Sequence, residues 1–289
     1  AAMKTKNARL ITGAVLPIFN NPLKIAGEIG MLDAISGGRL ECGFARAFLP
    51  HEFDGFNRTL DESRARFSEG LEQVQLLLEN ENVSSKGEFH SFKNITVTPR
   101  TIQRPRPPIW IAALITPASF EFAGQMGFNI MAIPLTGGKM NELIKIYRDA
   151  WQAAGHSGKG QVMLAHHMFC HEDREKAYAI SRDPLNRYLK SVVNSASPWM
   201  SGSNSADYPG YDKIIEQLSK ETFESQVEKG AAFIGTPDDI NDQIAAYIEM
   251  TGGFEIASLQ INFNDLAIEH AESSMRLFAE KVIPNFASV

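Results

Sequence analysis

The stretch RLECGFARAFLPHEFDGFNRTLDESR, Arg39 to Arg64, decides how the rest of this chain is read. Leu40 to Phe44 is a short apolar run of strand length, and Arg46 follows directly after it. Thr59-Leu60-Asp61-Glu62 has the form of a capping box and opens a helix carrying Arg64 one turn in. One strand-to-helix unit can thus aim two guanidiniums at a single anion, an arrangement that suits a phosphate. Singly, each arginine reads equally well as an ion-pair partner, and Arg64 could pair with Asp61 or Glu62 of its own helix.

Outward from this unit, strand-like and helix-like segments alternate along nearly the whole chain, the pattern of an α/β protein with a parallel sheet. The strands read from apolar runs are Leu10 to Leu16, Leu40 to Phe44, Ile109 to Ala113, Phe128 to Ile133, Val162 to Cys170 and Ile256 to Phe263. Asn21-Pro22 caps and opens a helix that stops at Ser36-Gly37-Gly38. The next runs from about Leu60 to Leu78, with Phe67, Leu71, Val74 and Leu78 on one face. Further helices are expected from Thr116-Pro117, near Gly138 through Trp151, near Asp173, near Tyr211, from Thr236-Pro237, and from about Ala267 to Val282. Residues 82–108 read as a small hairpin insertion followed by a Pro-rich connector. Residues 197–210, polar and rich in Gly, Ser and Asn, read as a mobile surface loop and a candidate lid. The six strands fall short of the eight that close a (β/α)₈ barrel.

Composition narrows the function. The 289 residues are 44% hydrophobic and 21% charged, an ordinary globular profile. With a formal net charge of -6 and scattered Lys and Arg, a nucleic-acid partner is not expected, and an anionic ligand needs a local arrangement. Cys42 and Cys170 lie in expected strands without CxxC spacing and read as reduced core thiols, which points to a cytoplasmic address. No apolar run approaches the roughly 20 residues that span a bilayer, so no membrane partner is expected.

A second anion-binding element lies after Ile109 to Ala113. A helix opening at Thr116-Pro117-Ala118-Ser119 offers its first-turn N–H groups and two hydroxyls, and no acid crowds that turn. The similar start at Thr236-Pro237-Asp238-Asp239 carries two acids that would repel a phosphate, and it reads as structural. His166 and His167 are adjacent in a strand, so their side chains point to opposite sides and cannot chelate one metal; one could face the barrel interior. HExxH, a Cys/His cluster, GxSxG and GxGxxG are absent, which argues against a metal site, a hydrolase elbow and a dinucleotide fold.

These residues resemble the bacterial luciferase-like flavin-dependent monooxygenases. The likeness runs through LITGAVLPIFNNPLKIAGEIGMLDAISGGRLECGFARAF, from Leu10 to Phe48, then EFDGF, the helix of Arg64, QRPRPPIWI from Gln103 to Ile111, and Phe122 to Gly127. It continues in Ile234 to Asp239 and Leu277 to Pro284. The resemblance implies a (β/α)₈ TIM barrel as a single domain over 1–289, lacking its first two βα units. It implies FMN as cofactor, with FMNH₂ supplied by a separate flavin reductase, O₂ and a small organic substrate as reactants, and a homodimer. Carried over by position, Arg46 and Arg64 hold the FMN phosphate, Thr116 and Ser119 add hydroxyls to it, and Thr12-Gly13 matches a strand end where the family often has a cis peptide. Ile115 stands where the pattern has a glutamate and Ala45 where it has a reactive cysteine. The family's catalytic histidine is expected upstream of Ala1, so no catalytic residue is assigned. The resemblance implies insertion of one oxygen atom, at a carbonyl or similar centre. Two other readings stay open: a non-catalytic flavin-binding or partner subunit, and an F420-dependent oxidoreductase.

Overall fold

The computed structural model describes residues 1–134 and 139–286. Its internal contacts divide it into two compact units, Ala1–Ala112 with Ser203–Pro209, and Ala113–Gly202 with Gly210–Val289.

The first unit holds β1 (Leu10–Ile11), α1 (Pro22–Ser36), β2 (Leu40–Phe44), α2 (Pro50–Gly55), α3 (Ser63–Glu79), β3 (Val83–Lys86), β4 (Ser91–Ile95) and nearly all of β5 (Ile109–Ala113). β1, β2 and β5 run parallel, with Leu10 beside Leu40 and Cys42 beside Ile109. Every residue of β2 is buried, as a strand covered on both faces requires. The expected strand Leu10 to Leu16 is shorter. Its ladder holds for two residues, the Thr12 hydroxyl then donates to the Gly43 carbonyl and accepts from the Gly43 N–H, and Val15 rejoins as an isolated bridge to Phe44. The cis peptide lies between Gly13 and Ala14, one residue beyond the expected position.

α1 starts and stops where its punctuation places it: the Asn21 side chain accepts from the Leu23 N–H, and Gly37 takes φ 69°. Gly30 is a contact residue, since a Cβ there would lie 2.2 Å from the Pro99 carbonyl oxygen of the connector. The α3 face is buried as expected, Val74 completely. β3 and β4 form the expected antiparallel hairpin.

The second unit holds α4 (Pro117–Gln125), β6 (Asn129–Ala132), α5 (Met140–Ala153), β7 (Val162–Cys170), α6 (Arg174–Ala196), α7 (Tyr211–Leu218), α8 (Phe223–Glu228), β8 (Ala232–Gly235), α9 (Pro237–Thr251), β9 (Ile256–Gln260), α10 (Ile268–Lys281) and α11 (Ile283–Phe286). The long strand β7 organises it: β6 and β9 pair in parallel with its first part, and β8 with its last four residues. β8 is a strand the apolar runs did not give, because four residues leading straight into a Thr-Pro helix start have no period of their own. The expected helix start near Gly138 lies outside the described residues; α5 is described from Met140 and includes Trp151. Phe169, Leu185, Leu189, Phe223, Ile234 and Phe263 form the centre of a core cluster.

Residues 197–210 are less uniformly a surface loop than their composition suggests. Ser197–Met200 is a 3₁₀ turn with Trp199 buried, and Tyr208 is 3% exposed. Among the described residues no helix is long and apolar enough to cross a membrane.

Candidate functional site

Within the first unit, Arg46 and Arg64 belong to one connected cluster. Arg46 leaves β2 just before Ala47, whose φ of 56° turns the chain sharply. Its Nη1 donates to the Ser63 hydroxyl at 3.4 Å, and its guanidinium carbon lies 4.5 Å from the centre of the Tyr208 ring. The Tyr208 hydroxyl donates to the Ala47 carbonyl at 2.9 Å, so one side chain supports both the arginine and the turn behind it.

Asp207 joins the remaining donors. Its Oδ2 accepts from the Arg64 backbone N–H at 2.8 Å and from the buried Ser63 hydroxyl at 3.1 Å, while its Oδ1 accepts from Arg64 Nε at 3.2 Å. The expected capping box at Thr59 does not form: a 3₁₀ turn over Leu60–Glu62 moves the α-helical start to Ser63, and Thr59 makes no capping bond. Asp207 supplies acceptors to that helix start instead. Neither expected ion pair within the helix is the one Arg64 makes; Glu62 pairs with Arg66 and Arg64 with Asp207. Arg46, Ser63 and Arg64 therefore make a donor set of two guanidiniums, a hydroxyl and a helix N-terminal N–H, matched to the oxygens of a phosphoryl group, with a carboxylate seated among them.

Sequence reasoning missed Ser63, Asp207 and Tyr208. A signal existed, since Asp207 is the one charged residue in 197–210.

Of the other assigned residues, Thr12 has its hydroxyl engaged with the Gly43 backbone, and Gly13 is exposed with open space around its Cα. Thr116 and Ser119, in the second unit, stand at the start of α4, both half-buried. The Thr116 hydroxyl makes no capping bond, Pro117 occupies the first turn, and no acid is present there. The contrasting start of α9 closes a capping box between Thr236 and Asp239. Arg174 pairs with Asp239 and holds that carboxyl down to about 2.

His166 and His167 do point to opposite sides of β7. His166 stacks on Phe233 with ring centres 4.3 Å apart and donates through Nδ1 to the Gly230 carbonyl, while His167 packs edge-on to Tyr188 and Phe263. Burial pushes both imidazoles down to about 4, so both are neutral near pH 7. Burial likewise pushes the Cys42 and Cys170 thiols up to about 12, which makes them inert core groups.

Residues 1–253 match the family described as luciferase-like monooxygenase. The chain belongs to that family. Among curated family relatives, the oxygenase component of the flavin-dependent trigonelline monooxygenase of Acinetobacter baylyi is 28% identical, over 99% of this chain and 78% of its own length. The crystal structure of the monooxygenase RslO1 from Streptomyces bottropensis is 36% identical, with a TM-score of 0.85 over 99% of this chain and 80% of that one. The oxygenating constituent of 3,6-diketocamphane monooxygenase from Pseudomonas putida, a type II Baeyer-Villiger enzyme solved with FMN, shares the fold at 19% identity, with a TM-score of 0.76 over 98% of this chain and 81% of that one. The protein thus has the luciferase-like α/β barrel type of fold, and it is a monooxygenase of this family.

Proposed function

We propose that the protein is the oxygenase of an FMN-dependent, two-component system, receiving FMNH₂ from a separate flavin reductase and using O₂ to insert one oxygen atom into an organic substrate, at a carbonyl or similar centre. The observation that carries this reading is the donor set of Arg46, Ser63 and Arg64. Two cations, a buried hydroxyl and an N–H at the first turn of a 17-residue helix suit the terminal phosphate of a mononucleotide. When bound, the reduced flavin supplies the electrons that activate O₂. The chain's own residues bind and orient: Arg46, braced by Tyr208, and Arg64, on the rigid start of α3, hold the phosphate, and Ser63 sits between them. The setting is a homodimer in the reducing cytoplasm, consistent with two buried thiols.

The test is titration of the purified chain with FMN and with riboflavin, which lacks the phosphate, followed by turnover with a flavin reductase, O₂ and candidate substrates. FMN should bind at least about tenfold more tightly than riboflavin, the equivalent of one charge-assisted hydrogen bond. Equal affinities would remove the phosphate assignment. FMNH₂ consumption without any oxygenated product would favour a non-catalytic flavin-binding subunit, and turnover of F420 without FMN binding would favour an F420-dependent oxidoreductase. Thr116 and Ser119 carry their own titration: unchanged FMN affinity in Thr116→Ala and Ser119→Ala removes them from the flavin site.

A further inference from the structure

The carboxylate of Asp207 already takes up donors that a bound phosphate would need. It accepts from Ser63 Oγ, the Arg64 N–H and Arg64 Nε within 3.2 Å. A phosphate monoester carries about -1.5 to -2 charges near pH 7, and it cannot share that N–H and that Nε with a carboxylate at contact distance. One of the two anions has to give way. The local charge is two guanidiniums against one carboxylate, a surplus that a phosphate balances better than Asp207 does.

The segment carrying Asp207 meets both arginines, and it is held besides by the Tyr208 hydroxyl on the Ala47 carbonyl and by the Tyr208 ring packed edge-on to Phe53. In Ser203–Pro209 Asp207 is the charged residue, and it binds Arg64; Tyr208, the next residue, is covered by the Arg46 guanidinium. A turn links the pair, with the Asp207 N–H donating to Ser205 Oγ at 3.2 Å and the Tyr208 N–H to the Ser205 carbonyl at 3.1 Å. A phosphate that engages Arg64 and draws Arg46 toward itself therefore loosens both arginine contacts at once and leaves the Tyr208 hydroxyl bond to Ala47 as the main remaining tie.

We propose that Asp207 is an internal stand-in for the flavin phosphate, holding Ser203–Pro209 against Arg46, Ser63 and Arg64 until the phosphate displaces it and the segment is released. The inference rests on the FMN reading of the arginine site. Loading of the cofactor is thereby coupled to the conformation of this segment: the binding-competent form is the one with Asp207 withdrawn, and apparent affinity falls by the fraction of molecules in which it is not.

Hydrogen exchange of the wild-type chain, without ligand, with saturating FMN and with saturating riboflavin, tests the release without any substitution. FMN should speed exchange across Ser203–Tyr208 by about fivefold or more while protecting the start of α3, and riboflavin should not. Asp207→Asn, which keeps one acceptor for the Arg64 N–H but removes the charge, should bind FMN about tenfold more tightly and exchange faster in the segment without ligand. Slower or unchanged exchange in the segment with FMN bound, or weaker or unchanged FMN binding by Asp207→Asn of wild-type thermal stability, overturns the proposal and makes Asp207 a helix cap that positions Arg64. If neither wild type nor Asp207→Asn binds FMN, the flavin reading itself falls and the stand-in falls with it.

Discussion

Arg64 faces a carboxylate 143 residues away in the chain, whereas Glu62, two residues before it, pairs with Arg66. That contrast explains what was legible at the scale of single residues. Arg46 and Arg64 stand out because each sits at a boundary that local pattern marks, the end of an apolar run and the start of a helix. Asp207 and Tyr208 mark no such boundary, and beyond the lone charge of Asp207 in its loop their role appears only when the fold brings them to Ser63. Arg46→Ala should weaken FMN binding by roughly 1.5–3 kcal/mol, the scale of a hydrogen bond to a charged group, read by titration; an unchanged dissociation constant would refute its assignment. A second residue-level outcome concerns Glu41, buried in β2, which accepts from Arg9 and from the indole N–H of Trp110. Trp110→Phe removes that donor from a buried carboxylate and should cost about 1–3 kcal/mol, measured by the shift in urea midpoint at constant m-value.

Among the elements, helices with explicit caps were readable from end to end, since Asn21-Pro22 and Ser36-Gly37 act through contacts only a few residues apart. The start of α3 was misread because its capping acceptor comes from Asp207 rather than from Thr59. β8 escaped notice because so short a run carries no periodicity. The β3–β4 hairpin followed from alternation, and its turn, closed by the Gly87 N–H donating to the His90 carbonyl, is also braced from outside: Glu69 of α3 accepts from the N–H groups of Glu88, Phe89 and His90. Glu69→Ala should leave those three amides without their acceptor, destabilise the protein by about 2–3 kcal/mol, and speed amide exchange at 88–90 before the rest of the hairpin. Retained protection there would show that the turn holds itself.

At the scale of the whole molecule, the buried imidazoles of His166 and His167 set a pH dependence of stability. Both titrate near 6.5 when unfolded and about 4 when folded, so the unfolded chain binds more protons between those values. Stability is therefore full above about pH 6.5, falls progressively toward pH 4, and changes no further from these groups below that, with a loss on the order of 3 kcal/mol for each imidazole. Denaturation midpoints across this range should show the decline, and His167→Phe should flatten part of it; a level profile would mean that the imidazoles are hydrated. The sequence by itself determined the α/β alternation, the capped helices, the buried strands and the two arginines, because these depend on the period of apolar residues and on contacts within a turn or two. Only the tertiary structure decided that Thr12 bonds the Gly43 backbone, that Ser63 joins the arginines, and that Asp207 sits among the donors. Such contacts join residues far apart in the chain, and their energies depend on distance and orientation in space, which local spacing does not encode.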